Sequence, residues 1–134
     1  ELIRFHGVPS GIILKKAYLS GANMDEIAIR AVDLSYAKLR KTRLGETGFG
    51  DTNLEGADFR GAYFCQTSFG RCNLRRVNFS GTDLVELLFV DCDLSYANFN
   101  GASQLGNLAF KRVIFHDTIV PDGSLTSDNP RDNC

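Results

Sequence analysis

From Leu14 to Phe99 every fifth residue is large and apolar: Leu14, Leu19, Met24, Ile29, Leu34, Leu39, Leu44, Phe49, Leu54, Phe59, Phe64, Phe69, Leu74, Phe79, Leu84, Phe89, Leu94 and Phe99. Two positions before each runs a smaller series that includes Ala17, Val32, Ala37, Thr47, Thr52, Ala62, Cys72, Val77 and Cys92. Between the two series lies a polar residue in most repeats, such as Asn23, Asp33, Asn53, Asp58, Asn73, Asn78 and Asp93. A helix cannot use this period, because five steps of about 100° overshoot a full turn by roughly 140° and scatter the apolar residues. A long flat strand cannot use it either, since an odd period reverses the buried face at every repeat. A short strand can: small residue in, polar residue out, large residue in, then two residues at a corner. Four such sides close a coil of about twenty residues, and stacked coils pair their backbones about 4.8 Å apart.

The units Ala57-Asp58-Phe59-Arg60-Gly61, Cys92-Asp93-Leu94-Ser95-Tyr96 and Ala97-Asn98-Phe99-Asn100-Gly101 closely resemble the A(D/N)LXX signature of pentapeptide-repeat proteins. The resemblance runs from Ile12 to about Val120. It implies an all-β chain folded as a right-handed quadrilateral β-helix, with about five to six coils. Segment 1–11 lacks the period and reads as an N-terminal cap, with Leu2, Ile3, Phe5 and Val8 lying over the first coil. Segment 12–120 is the solenoid, and 121–134 a polar, loose C-terminal tail. After Phe99 the phase slips at Gln104. One inserted residue near Ser103-Gln104 restores it through Leu105, Phe110, Phe115 and Val120, and Pro121-Asp122-Gly123 then ends the ladder, because proline lacks an N–H for another rung.

The 134 residues suit one domain, and 43% hydrophobic with 23% charged residues suits a packed core. Fifteen Lys plus Arg against sixteen Asp plus Glu leave a net charge of −1. That balance offers no global field for nucleic-acid phosphates, and it is too weakly acidic to imitate DNA by bulk charge. No apolar run approaches the roughly 18 residues of a membrane span. The first residue is Glu1, so the chain reads as processed or trimmed. The family resemblance then leaves a bacterial cytoplasm open, or a periplasm or thylakoid lumen if a signal peptide was removed.

Chemistry-bearing constellations are sparse. His6 and His116 are the only histidines, and His116-Asp117 as sequence neighbours do not form a triad. The four cysteines form no CxxC or CxxH. Asp and Asn stack in outward columns, but one flat face cannot wrap the six to eight oxygens calcium prefers, so hydrogen bonds to neighbouring strands and corners are the reading preferred. Gly45, Gly48 and Gly50 read as turn residues rather than a phosphate loop. No catalytic, metal or cofactor residue is therefore assigned, and the chain reads as a non-enzyme without cofactor. Cys72 and Cys92, twenty residues apart, fall at equivalent interior positions. Their β-carbons should lie nearly 5 Å apart, beyond the roughly 3.8 Å a disulfide wants, so both should stay reduced. Cys65, at a corner, and Cys134, in the tail, leave a bridge open.

Function must then sit on the outer faces. The corner after the Met24 column carries Asp25-Glu26, Gly45-Glu46, Cys65-Gln66 and Val85-Glu86, acidic and without a base. Two other edges are mildly basic, carrying Lys15-Lys16, Arg75-Arg76, Arg40-Lys41 and Arg60. The polar rule breaks at Val85, Leu88 and Val90, with small Ala28, Gly48 and Ala109 in the column of Leu88. Two readings stand: drift on a solvated surface, or a contact site for a protein partner made of Val85, Glu86, Leu88, Val90, Glu46 and Glu26. The favoured function is a non-enzymatic rigid scaffold, monomeric, holding a protein partner and no nucleic acid. The resemblance implies an alternative, a DNA-mimic protein acting on gyrase or another topoisomerase. Arg40, Lys41, Arg60, Arg75 and Arg76, and the absence of a C-terminal dimerisation helix, disfavour it.

Overall fold

The computed structural model describes residues 7–103 and 107–129. Its strands are β1 (Gly7–Val8), β2 (Ala28–Arg30), β3 (Arg43–Gly45), β4 (Gly48–Gly50), β5 (Tyr63–Cys65), β6 (Thr67–Gly70), β7 (Leu87–Val90), β8 (Leu108–Lys111), β9 (Thr118–Ile119) and β10 (Leu125–Thr126). The described residues contain no helix. The chain is a four-sided β-solenoid. Its first face carries the parallel ladder Ile13, Asp33, Asn53, Asn73, Asp93 and Ile114, and its second carries Tyr18, Lys38, Asp58, Asn78, Asn98 and Ile119. The third face holds β3 paired with β5, and the fourth is a six-stranded parallel sheet in the order β1-β2-β4-β6-β7-β8.

The interior is the one the period predicts. Every large residue of the series from Met24 to Phe99 is buried, while Leu14 and Leu19 pack half-buried against that core. On the fourth face Phe49, Phe69, Phe89 and Phe110 stack nearly parallel, with centroids 4.8, 5.2 and 5.4 Å apart. On the second, Phe59, Phe79 and Phe99 do the same at 5.2 and 5.1 Å. The two stacks meet edge to face, as between Phe59 and Phe69 at 80°. Offset stacking follows the coil spacing, and the edge contacts match ring quadrupoles across the bore.

Polar groups are satisfied locally. Asp33, Asn53, Asn73 and Asp93 each accept a hydrogen bond from the backbone N–H two residues on, at 2.9–3.1 Å. Asp58, Asn78 and Asn98 repeat this on the second face. Such Asx turns steer the chain into the corner, which is why the polar position favours Asp and Asn. Buried hydroxyls bind carbonyls: Thr47 donates to Met24, Thr67 to Leu44 and Thr118 to Leu94. The thiols of Cys72 and Cys92 point at the carbonyls of Phe49 and Phe69. The second residue of each two-residue corner takes a positive φ, and among the described residues fifteen of these are not glycine, with φ between 45° and 62°. Left-handed backbone costs an L-residue about 1–2 kcal/mol, so the core and the ladder must offset many such corners.

Both ends depart from the simple period. Gly7 and Val8 pair with Ala28 and Ile29, so this part of segment 1–11 is a rung of the fourth face rather than a cap. That step spans twenty-one residues where Ile13 to Asp33 spans twenty, because the corner 9–11 holds three residues. Leu2, Ile3 and Phe5 lie outside the described residues, as does the side chain of Val8. Near the other end Asp83 pairs with Ser103, twenty residues on, and Leu87 with Leu108, twenty-one on. The inserted residue therefore falls between Ser103 and Leu108. Gln104 and Leu105 are outside the described residues. The tail is not loose over 121–129: β10 pairs antiparallel with β9. Asn129 accepts the N–H of Phe115 at 2.7 Å, and Ser127 accepts that of Asp117 at 3.0 Å.

Candidate partner-binding surface

The corner between the third and fourth faces carries two columns. The first runs Asp25, Gly45, Cys65 and Val85, and the second Glu26, Glu46, Gln66 and Glu86. In the first, β3 and β5 set Gly45 directly against Cys65. Glu26, Glu46 and Glu86 are exposed and form no ion pair among the described residues, although the Gln66 amide donates to Glu86 at 3.3 Å. Unit charges one coil apart in water repel by about 1 kcal/mol, and Gln66 interrupts the column. Asp25 is not a free acid. Its carboxylate accepts from the Gly45 N–H at 2.7 Å and from Arg43, whose Nη2 lies 3.0 Å away. The edge read as lacking a base thus has Arg43 beside it, on the outward column of the third face.

Leu88 points outward from β7 and is 37% exposed. Its direct neighbours in the sheet are Ser68 and Ala109, with Gly48 and Ala28 further up. Val85 and Val90 are half-buried, and Val90 sits between Gly70 and Lys111. The apolar break is therefore an island one coil high, bounded by Ser68 and Lys111. On the same corner, over the coils before it, lies a groove of about 600 Å³ that the sequence reading missed, lined by Asp25, Glu26, Arg43, Gly45, Glu46, Tyr63 and Cys65. Gly45 is the one lining residue without a side chain. A β-carbon there would stand 3.1 Å from Asp25 Oδ1. The available signal was a glycine in a corner column whose neighbours have side chains.

The remaining charges are mostly committed. At the corner between the fourth and first faces, Asp51 takes Arg71 in a two-pronged pair at 2.8 and 3.1 Å with Arg30 at 3.4 Å. Asp91 takes Arg112 at 2.7 and 3.2 Å. Hydrogen bonds from these arginines hold both carboxyls below the usual aspartate range. Arg60 pairs with Asp58, Arg75 with Asp93 and Arg76 with Glu55. Burial pushes Asp58 upward, but the bonds from Arg60 outweigh it and leave the carboxyl lowered. His116 lies 3.8 Å from Asp117, both exposed. His6 lies outside the described residues. Among the described residues no three His, Cys, Asp or Glu side chains converge as a metal site. Cys65 is exposed and free, and Cys72 and Cys92 are buried and free. Cys134 lies outside the described residues.

A four-sided parallel ladder with Asx turns after its first and second faces, around a bore of Leu and Phe columns, defines a β-solenoid built from five-residue units. Sequence-family models agree: residues 46–120 match the pentapeptide repeat region and 12–49 the pentapeptide repeats. The chain belongs to the pentapeptide-repeat family. No curated protein matches it. Among solved structures it is similar to a pentapeptide repeat protein of the Arabidopsis thaliana thylakoid lumen, at 23% identity over 81% of this chain and 70% of that one, TM-score 0.43. It is similar to HetL of the cyanobacterium Nostoc sp. at 24% identity over 93% and 66%, TM-score 0.35. It is similar to trypsin-treated QnrB1, a plasmid-mediated fluoroquinolone resistance protein, at 21% identity over 86% and 64%, TM-score 0.40. This chain spans about two thirds of the length of the last two.

Proposed function

We propose that this repeat scaffold is a non-enzymatic module that holds a protein partner along the corner between its third and fourth faces. The contact comprises Val85, Leu88 and Val90 with Glu86, Glu46 and Glu26. One observation carries the reading: Leu88 is an exposed leucine in an outward column whose other residues are Ala28, Gly48, Ser68 and Ala109, beside carboxylates without ion-pair partners. A flat apolar island rimmed by unpaired charge suits a protein contact better than a small-molecule site. The test compares capture of host proteins by the wild-type chain and by Leu88→Asp, with the thermal melt of each recorded. An unchanged melt with loss of a specific partner supports the reading. Unchanged capture discards it.

A further inference from the structure

We propose that the upper part of the second face, with the corner that leads into it, docks on an anionic lipid surface. Every described arginine except Arg40 is ion-paired to an aspartate or glutamate. No lysine is. Of the cations that form no ion pair, Lys15, Lys16, Lys38, Arg40 and Lys41 gather on two adjacent coils, and only Lys111 lies elsewhere among the described residues. Lys38 pairs through its backbone with Tyr18 on the second face, and the other four stand at the corners on either side. Two carboxylates stand near the patch, but their hydrogen bonds go elsewhere: Asp33, close enough to feel Lys15, accepts from the Ser35 N–H and hydroxyl, and Asp58, close enough to feel Arg40, holds Arg60.

A second feature coincides with the charge. Tyr18 and Ile13, 85% and 75% exposed, are the two most exposed large hydrophobic side chains described, and they flank Lys15-Lys16. Tyr18 stands on the second face beside Lys38, and Ile13 on the first face, across the Lys15-Lys16 corner. A peptide would need a cleft for such side chains, and duplex nucleic acid has no use for an exposed aliphatic one. A membrane interface takes both: the aromatic and the aliphatic group enter the headgroup layer while lysines reach lipid phosphates. Each cation near such a surface is worth about fivefold in affinity, so five of them with two inserting side chains suffice for reversible docking.

The test is co-sedimentation with vesicles of phosphatidylcholine alone and of an equal mixture of phosphatidylcholine and phosphatidylglycerol. The wild-type chain should bind only the anionic vesicles, and added salt should weaken the binding. Reversing Lys15, Lys16 and Lys38 to Glu should cut affinity by about a hundredfold or more. Tyr18→Ala should cost several-fold, and Lys111→Glu, on another corner, should change little. Lys15, Lys16, Tyr18 and Lys38 are exposed and Lys111 is half-buried, so matching melts separate lost binding from lost fold. Equal binding to neutral vesicles overturns the proposal. So does anionic binding indifferent to the triple reversal, and so does capture of polyglutamate or duplex DNA with no vesicle binding.

Discussion

The phenol ring of Tyr36 lies over Gly56 one coil below, in the space a β-carbon on residue 56 would fill. Gly56 also sits at φ +68°. Gly81 shares that backbone, at φ +67°, with nothing within 4 Å of its missing β-carbon. Gly81→Ala should therefore cost about 1 kcal/mol from backbone strain alone. Gly56→Ala should cost about 1–3 kcal/mol more. Adding Tyr36→Ala should recover most of the excess. Urea titration of the three variants checks this, and equal costs at the two glycines would refute the ring contact.

Phe69 stacks between Phe49 and Phe89 and meets Phe59 and Phe79 edge-on. It is fully buried. Phe69→Ala should destabilise the chain by about 3–5 kcal/mol, since neighbouring coils fixed by the ladder cannot collapse into the void. Phe69→Leu should cost clearly less. Near-equal denaturation midpoints for the two would show that the stack adds nothing beyond bulk.

The aspartates set the acid limit. Asp33, Asp51, Asp58, Asp91 and Asp93 all have carboxyls held below their ordinary value. Folding thus favours the charged form. The stability they contribute is present in full above the unfolded value of about 3.9, and is lost as pH falls through the lower folded values. The denaturation midpoint should be level near neutrality and drop below about pH 4. Asp51→Asn with Asp91→Asn, which removes both two-pronged arginine pairs, should flatten that drop. An undiminished acid slope would assign it elsewhere.

The thiols divide by position. The neighbouring Cys92 thiol, together with burial, pushes the Cys72 thiol up, so it keeps its proton. A thiol reagent should modify Cys65 in the native protein, and Cys72 and Cys92 only in denaturant. Native labelling of Cys72 at a rate near that of Cys65 would mean that the first face opens.

The interior was legible because each inward position recurs with a fixed step, so Phe69 and Leu74 declare their side without any homologue. Val8 was not. Stepping back five from Leu14 lands on Pro9, because the corner 9–11 carries an extra residue, and the rung made by Gly7 and Val8 is hidden by that slip. The hairpin of β9 and β10 was hidden differently, since the bonds of Asn129 and Ser127 follow no period. On the surface, Leu88 stood out because it breaks a polar column. The Asp25–Arg43 pair did not, because it joins residues eighteen apart in two columns, and reading each column by itself misses a diagonal contact.

The uniform twenty-residue step that links Ile13, Asp33, Asn53, Asn73 and Asp93 makes length an adjustable property of this molecule. Excising 53–72 would join cut ends that occupy equivalent points in successive turns. The shortened rod would keep the Asx bonds of its remaining first- and second-face turns and would set Phe49 in the stack with Phe89. Apart from the Asp51–Arg71, Asp58–Arg60 and Glu55–Arg76 pairs, which the cut removes, the change is in the distance between its two ends, by one interstrand spacing of about 4.8 Å. Surfaces carried on opposite halves of the rod could thus be moved together or apart in fixed increments, as marks on a ruler, without redesigning either one.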